Sequence, residues 1–150
     1  MKTLKSILPE LSIRYSPGEH QKIKIKKASD AYSLILSLYD AGTIEYIETA
    51  IVVFLNRANE SLGWFKISSG GTACAIIDAK VLFATALQCG ASAFILSHNH
   101  PSGNLTPSEP DIKLTRDLNQ IGKLLTLNML DHLIVAPEGF YSFADQGLLY

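Results

Sequence analysis

Apolar residues recur at helical spacing in three segments of the chain, which predicts three amphipathic helices. We expect Ser29 and Asp30 to cap the first helix and Gly42 to end it. Asp78 is a suitable N-cap for the second helix, which should end at Gly90. The predicted inward faces are Ala31, Leu34, Ile35 and Leu38 in the first helix, and Leu82, Ala86 and Cys89 in the second.

The third helix has an apolar stripe that consists of Leu114, Leu118, Ile121 and Leu125. Two capping patterns compete for its start. With Thr106 as N-cap, Pro107 occupies the first helical position and Glu109 closes a capping box. Ser108 and Asp111 fit the same box two residues later. The pattern therefore predicts the helix and leaves its first residue open.

Short apolar runs bounded by turn residues predict strands between and after the helices. They cover residues 48–56 and 62–67 as a hairpin, then 72–77, 93–96, 128–135 and 140–143. Both hairpins and helical crossovers connect these strands. The expected fold is therefore an α/β (α+β) domain with a mixed β-sheet flanked by helices.

Residues 1–28 alternate only weakly between apolar and polar positions. Two short extended segments at 11–15 and 22–25, separated by a turn at 17–19, suggest a hairpin or arm packed on a main body at 29–150. Lys22, Lys24 and Lys26 share one strand face. No aromatic residues interleave with these lysines, so a solvated edge strand is favoured over a nucleic-acid patch.

Composition narrows the functional class only slightly. The 150 residues are 47% hydrophobic and 18% charged, as in ordinary globular domains. Because the net charge is −1, no global field attracts nucleic acid, and direct nucleic-acid binding has no support from charge. Cys74 and Cys89 have apolar neighbours and indicate buried thiols rather than a disulfide. Without a signal peptide or membrane-spanning run, we expect a cytoplasmic protein that does not enter a membrane.

The residues best suited to chemistry follow the apolar run at 93–96. Strand side chains alternate, so His98 and His100 share a face and Asn99 projects away. Asp111 lies on the inward stripe of the third helix, where an unpaired carboxylate is costly. Two imidazoles and a carboxylate are three ligands for a divalent metal, with a fourth position left for water, as in catalytic zinc sites.

Each of these residues also has a simpler role. The histidines can be hydrogen-bonded side chains at a strand end, and Asp111 can cap the helix dipole. The shared face and the matching carboxylate favour the metal interpretation. The role of Ser108 stays open, because its hydroxyl can serve either as an N-cap or as an active-site hydrogen-bond donor. An iron site with two histidines and one carboxylate has the same ligand count, so these residues do not determine the metal.

The spacing His98-x-His100, seven residues, Ser108, two residues, Asp111 resembles the JAB/MPN (JAMM) metalloprotease signature. The surrounding His-Asn-His-Pro-Ser-Gly and the run Leu130-Asp131-His132-Leu133-Ile134 resemble its RadC-like branch. The resemblance extends from about residue 30 to 147. It implies a JAB/MPN (cytidine-deaminase-like) architecture and a zinc-dependent hydrolase of the metallopeptidase or isopeptidase type. One Zn²⁺ per chain would be held by His98, His100 and Asp111.

The same resemblance implies a glutamate that acts as general acid/base. In the family it stands at the start of the strand before the hairpin, and Glu48 matches that position. Glu45 would lie outside the strand, and Glu60 fits the hairpin turn. Ser108 would assist as a polar group beside the reacting oxygen.

The resemblance also implies an alternative to the hydrolase function. Relatives of this type are often labelled as DNA-repair proteins, so a DNA-associated or scaffolding module with weak or no catalysis is the competing interpretation. His132 with Asp131 is expected to be a supporting or structural pair rather than a ligand. The expected substrate is a peptide or protein whose identity the sequence does not give, and the oligomeric state is likewise open.

Overall fold

A computed structural model of the chain describes residues 19, 21–70 and 77–149. Within these residues the chain forms three helices and five strands. In chain order they are α1 (Ala28–Leu36), β1 (Thr49–Leu55), β2 (Ser61–Ser69), α2 (Ala79–Gln88), β3 (Ala93–Asn99), α3 (Glu109–Leu124), β4 (Asn128–Ala136) and β5 (Gly139–Ser142). No helix in the described part is long and apolar enough to cross a membrane.

The five strands form one sheet in the order β2-β1-β3-β4-β5. Strands β1 and β2 pair antiparallel, as do β1 and β3, and β4 and β5. Strands β3 and β4 are parallel. A parallel pair needs a crossover, and α3 supplies it. The predicted mixed sheet is therefore confirmed.

Helices cover both faces of this sheet. On one face, Val52 and Leu96 pack with Leu82 of α2 and Leu118 of α3. On the other, α1 packs against β1, β3 and β4. Every residue of β1 and β3 is buried, because these central strands are covered on both sides. Burial on both faces explains why the two strands are continuous apolar runs in the sequence.

Helix α1 starts and ends earlier than the sequence suggested. Its N-cap is Lys27, and Asp30 accepts a hydrogen bond from the Lys27 backbone N–H at 3.2 Å. The helix ends at Leu36 rather than at Gly42. The Ser37 hydroxyl donates to the Leu34 carbonyl at 2.6 Å, and such local bonds compete with the helical pattern.

Helix α2 begins after Asp78 as predicted, and the Asp78 carboxylate accepts a bond from the Lys80 N–H at 2.8 Å. Helix α3 begins after Ser108, so the Thr106 alternative is wrong. The stripe of α3 also differs from the prediction. Leu118 is buried, but Leu125 is 39% exposed. The other buried residues of α3 are Thr115, Asn119 and Gly122.

Several predictions for the N-terminal half lie outside the described residues. These are the segment at 11–15, nearly all of the strand at 72–77, and Cys74. The described part of the predicted arm forms a single antiparallel bridge between Lys24 and Glu60 instead of a strand. The division at residue 28 stays a prediction. Cys89 is a free, partly buried thiol at the end of α2.

Gly122 offers a test of the packing between α3 and the sheet. A Cβ atom at this position would overlap the Leu127 backbone carbonyl oxygen and lie 3.4 Å from the Phe94 ring. Gly122→Ala should therefore lower the free energy of unfolding by about 1–3 kcal/mol, the usual cost of overpacking. Urea denaturation measures the change. Gly63→Ala is the matched control because nothing lies within 4 Å of its Cβ position. Equal stability of both variants would contradict the close approach.

Candidate metal centre

Three side chains meet where the end of β3 faces the first turn of α3. The His98 Nε2 atom lies 3.0 Å from the His100 Nε2 atom. The two carboxylate oxygens of Asp111 lie 3.3 Å from the His98 Nε2 atom and 3.5 Å from the His100 Nε2 atom. One ligand atom from each residue falls within 4.8 Å of the others. The structure thus brings together the three residues that the sequence grouped.

The Asp111 carboxylate and the facing ring nitrogens of His98 and His100 favour a positive charge at the centre of the triad. The His100 Nδ1 atom lies 2.6 Å from the Asn104 carbonyl oxygen, so it carries a hydrogen and Nε2 faces inward. Two ring nitrogens 3.0 Å apart repel unless a proton or a metal ion lies between them. Bonding to Asp111 is the main cause that raises the pKa of His100. Burial favours a raised pKa at Asp111, but bonds to His100 and His98 outweigh it and hold the pKa well below its usual range.

The donor set fits a divalent metal. Two imidazole nitrogens and one carboxylate oxygen are ligands that zinc accepts, and three protein ligands leave a position open. Among the described residues, His98, His100 and Asp111 form the one group of three His, Cys, Asp or Glu side chains close enough to hold an ion. These residues therefore form a candidate metal-binding triad.

Glu48 lies beside this triad. It directly precedes β1, and the antiparallel register pairs Ala50 with His98. Continued by two residues, that register sets Glu48 opposite His100, on the same face of the sheet. Glu48 is 8% exposed, and its charge contributes to the raised pKa of His100 after the larger effect of Asp111. Its role as general acid/base stays a prediction.

The other two glutamates are placed differently. Glu45 is exposed in the turns before β1. Glu60 lies in the β1–β2 turn, where Asn56 donates to its carboxylate at 2.9 Å. That turn is at the far end of β1 from His98, because Leu55 pairs with Ala93 at the start of β3. Of the three candidates, Glu48 is the one next to the triad in the sheet.

Comparison with known proteins identifies the family. A family model described as RadC-like JAB domain matches residues 25–148. The chain belongs to this family. A Flavobacterium johnsoniae protein named UPF0758 protein is 37% identical over 83% of the chain and 53% of its own length. Proteins of the same name from Chlorobium chlorochromatii and Clostridium perfringens are 36% and 33% identical over 93% of the chain, and over 62% and 60% of their own lengths.

The chain spans between about half and two thirds of the length of these relatives. Their names state no activity. Membership of the RadC-like JAB family, together with the triad, is compatible with a metal-dependent hydrolase. The resemblance seen in the sequence and the mixed fold expected from it are confirmed.

In this RadC-like JAB domain, Asp111 caps α3 and faces the triad at once. Its Oδ2 atom accepts the Ser108 backbone N–H at 2.8 Å, and its Oδ1 atom faces His98. One carboxylate therefore combines the two roles weighed in the sequence, since Oδ2 also lies 3.5 Å from the His100 Nε2 atom. The Ser108 Oγ atom accepts the Asp111 N–H at 3.2 Å, so Ser108 is the N-cap. Its role as an active-site donor stays a prediction.

Asn99 has a positioning role that the sequence reasoning missed. Its amide oxygen accepts the Thr49 N–H at 2.7 Å. Its amide nitrogen donates to the carbonyl oxygens of Ile44 at 2.6 Å and Ile47 at 2.9 Å. These bonds join the end of β3 to the segment that carries Glu48. A polar residue inside a buried strand was the available signal, because such a side chain needs partners.

His132 and Asp131 lie outside the triad, and each has a different role. The His132 ring contacts His98, and its Nε2 atom lies 2.8 Å from the His98 Nδ1 atom. It also stacks on the Phe143 ring, with the two ring centroids 4.7 Å apart. Burial is the main cause that lowers the pKa of His132. Asp131 instead accepts the backbone N–H groups of His132 and Ala144 and the Ser142 hydroxyl. His132 supports the triad, and Asp131 fixes the β4–β5 hairpin.

Replacing Asn99 by leucine should destabilise the domain. The Thr49 N–H and two carbonyl groups would lose their partners, and each buried polar group left unpaired costs about 1–3 kcal/mol. We expect a loss of roughly 3 kcal/mol in the free energy of unfolding, measured by urea denaturation. Asn104→Leu is the control, because Asn104 is exposed and its contact with His100 uses the backbone. The N–H group that its side chain accepts belongs to Thr106, which is exposed and can bond to solvent in the variant. A loss at Asn99 no larger than at Asn104 would contradict the positioning role.

Proposed function

We propose that this RadC-like JAB domain is a zinc-dependent hydrolase that cleaves an amide bond, peptide or isopeptide, in a peptide or protein substrate. The observation that carries the proposal is the convergence of His98, His100 and Asp111 beside the buried carboxylate of Glu48. Three metal ligands with no carboxylate beside them would fit a structural metal ion. Here Glu48 lies opposite His100 on the same face of the sheet, which is a suitable position for a group that transfers protons.

His98, His100 and Asp111 would hold the zinc ion. Bound zinc supplies Lewis-acid chemistry, because it polarises a carbonyl group and makes water more acidic. Such an ion is held best by side chains that the fold itself keeps in place. His98 lies in a fully buried strand, and Asp111 is locked by its bonds in the first turn of α3.

Glu48 would take a proton from the attacking water and deliver it to the leaving amine. Two features support this role. The residue is buried, which limits competing solvent, and it extends the β1 ladder on the side of the sheet that carries the ligands. The Gly70 N–H donates to the Glu48 carbonyl oxygen at 3.1 Å, so the backbone that carries the carboxylate is fixed.

Ser108 would donate a hydrogen bond to the oxygen that gains charge during the reaction. Its Oγ atom already accepts the Asp111 N–H. A hydroxyl that accepts one bond keeps its own hydrogen for donation. The capping role and the proposed catalytic role are therefore compatible.

Metal content tests the ligand set. Protein purified with zinc should contain one equivalent by elemental analysis, and Asp111→Asn should lose it, because a neutral amide cannot replace the carboxylate charge. Asp117→Asn is the matched control on the same helix, since the Asp117 side chain is half-exposed and contacts Lys113 instead of the triad. Full zinc content in the Asp111 variant would exclude this residue as a ligand.

Activity tests the role of Glu48. A peptide library incubated with the zinc-loaded protein should show cleaved amide bonds by mass spectrometry. Glu48→Gln should keep its zinc and lose about 10²–10⁴-fold in rate, the usual contribution of a general acid/base. Glu45→Gln, an exposed neighbour, should cleave like the unaltered protein. Undiminished cleavage by the Glu48 variant would refute the assignment, and no cleavage by zinc-loaded protein would count against amide hydrolysis.

A further inference from the structure

The Tyr39 side chain lies behind the sheet, on the face away from the triad. Tyr39 follows α1 and packs with the apolar cluster that α1 covers. Strand side chains alternate, so Ser97 projects to that face while His98 projects to the other. The Tyr39 hydroxyl oxygen lies 3.2 Å from the Ser97 Oγ atom. The sheet therefore separates Tyr39 from the candidate metal centre.

The Tyr39 hydroxyl also donates a hydrogen bond to the backbone carbonyl oxygen of Thr49, the first residue of β1, at 3.1 Å. The pairing of β1 with β3 begins with Ala50 opposite His98, so Thr49 lies just beyond the last pair. Side chains replace the backbone partners at this position. Tyr39 bonds the Thr49 carbonyl, and Asn99 bonds the Thr49 N–H.

These bonds fix the short piece of backbone that carries Glu48. A peptide group is planar, so bonds to its carbonyl oxygen and to its N–H together fix its orientation. In the peptide group between Glu48 and Thr49, Gly70 bonds the carbonyl oxygen and Asn99 bonds the N–H. Tyr39 bonds the carbonyl oxygen of the peptide group that follows. Loss of the hydroxyl would free that carbonyl, directly beside the residue that carries the acid.

The bond from Tyr39 lies in a protected place. Thr49 is 8% exposed and Ser97 is 0% exposed, so solvent has little access to replace the hydroxyl. Burial is the main cause that raises the pKa of Tyr39, and the charge of Glu48 acts in the same direction. The hydroxyl therefore keeps its hydrogen at neutral pH and stays a donor.

We propose that Tyr39 is a positioning residue that fixes the backbone next to Glu48 from the far face of the sheet and so holds the acid beside the triad. Tyr32 provides the contrast. Its hydroxyl also donates to backbone carbonyls, those of Ala136 at 2.7 Å and Pro137 at 3.1 Å, but these lie at the β4–β5 turn. The effect of Tyr39 on catalysis rests on the proposed function, whereas its effect on the backbone does not.

Hydrogen exchange tests the effect on the backbone. Tyr39→Phe removes the hydroxyl and keeps the ring in the apolar cluster. NMR on the full metal-free chain should show the Thr49 and Ala50 N–H groups exchanging about 2–10-fold faster, as expected for the loss of one ordinary hydrogen bond. Tyr32→Phe is the matched control, because it removes a similar bond elsewhere and should leave these two groups unchanged.

Kinetics test the effect on the acid. With the zinc-loaded protein and a peptide that it cleaves, Tyr39→Phe should lower kcat about 10–100-fold, since a small displacement of a reacting group is costly. KM and zinc content should stay unchanged, because Tyr39 lies on the face away from the triad. A tyrosine that only stabilises the fold would lower the urea midpoint and leave kcat of the folded protein unchanged, which is the result expected for Tyr32→Phe.

The outcomes separate the two proposals. Unchanged exchange at Thr49 and Ala50 in Tyr39→Phe overturns the positioning role, and that result needs no substrate. Faster exchange with an unchanged kcat overturns it as well, as does an equal loss of kcat in both tyrosine variants. If the unaltered zinc-loaded protein cleaves no peptide, amide hydrolysis fails as the function, while faster exchange confined to Tyr39→Phe still supports the fixed backbone.

Discussion

The contact between the first turn of α3 and the end of β3 determines the rest of the site. Asp111 makes that contact with one carboxylate, which caps the helix through the Ser108 N–H and faces the rings of His98 and His100. A helix N-terminus stabilises negative charge, so the carboxylate stays ionised where the imidazoles need it. The start of α3 and the grouping of the candidate ligands therefore depend on the same side chain, and a shift of α3 would separate the triad.

The pairing register of β1 and β3 is what places Glu48 beside the triad. Because β1 lies beside β3, the residue two positions before Ala50 must face the residue two positions after His98. Asn99 holds this alignment at its end by bonding the first residue of β1 and the turn before it. Glu48 thus reaches the triad through backbone pairing in adjacent strands, and its position depends little on the conformation of distant loops.

Much of the fold could be predicted because the central strands are buried on both faces and give unbroken apolar runs, as β1 and β3 show. The start of α3 could not, since Thr106 and Ser108 satisfy the same local capping pattern and only the contact with the histidines favours Ser108. The end of α1 could not be predicted either, because the bond from the Ser37 hydroxyl to the Leu34 carbonyl leaves no trace in the apolar pattern. Thr115 was not identified as an inward residue, because a polar side chain on a helix is normally assigned to the solvent face.

The buried polar side chains of the site determine how the domain responds to substitutions. Every buried side-chain nitrogen and oxygen among the described residues has a partner. Thr115 lies within hydrogen-bond distance of His132, His132 lies within that distance of His98, and His98 faces Asp111, so these four side chains behave as one coupled unit. Substitutions within this unit should not add independently, whereas a substitution in the apolar cluster around Leu82 should combine additively with any of them. Stability and the proposed metal binding depend on the same hydrogen bonds, which ties the fold of this domain to the chemistry proposed for it.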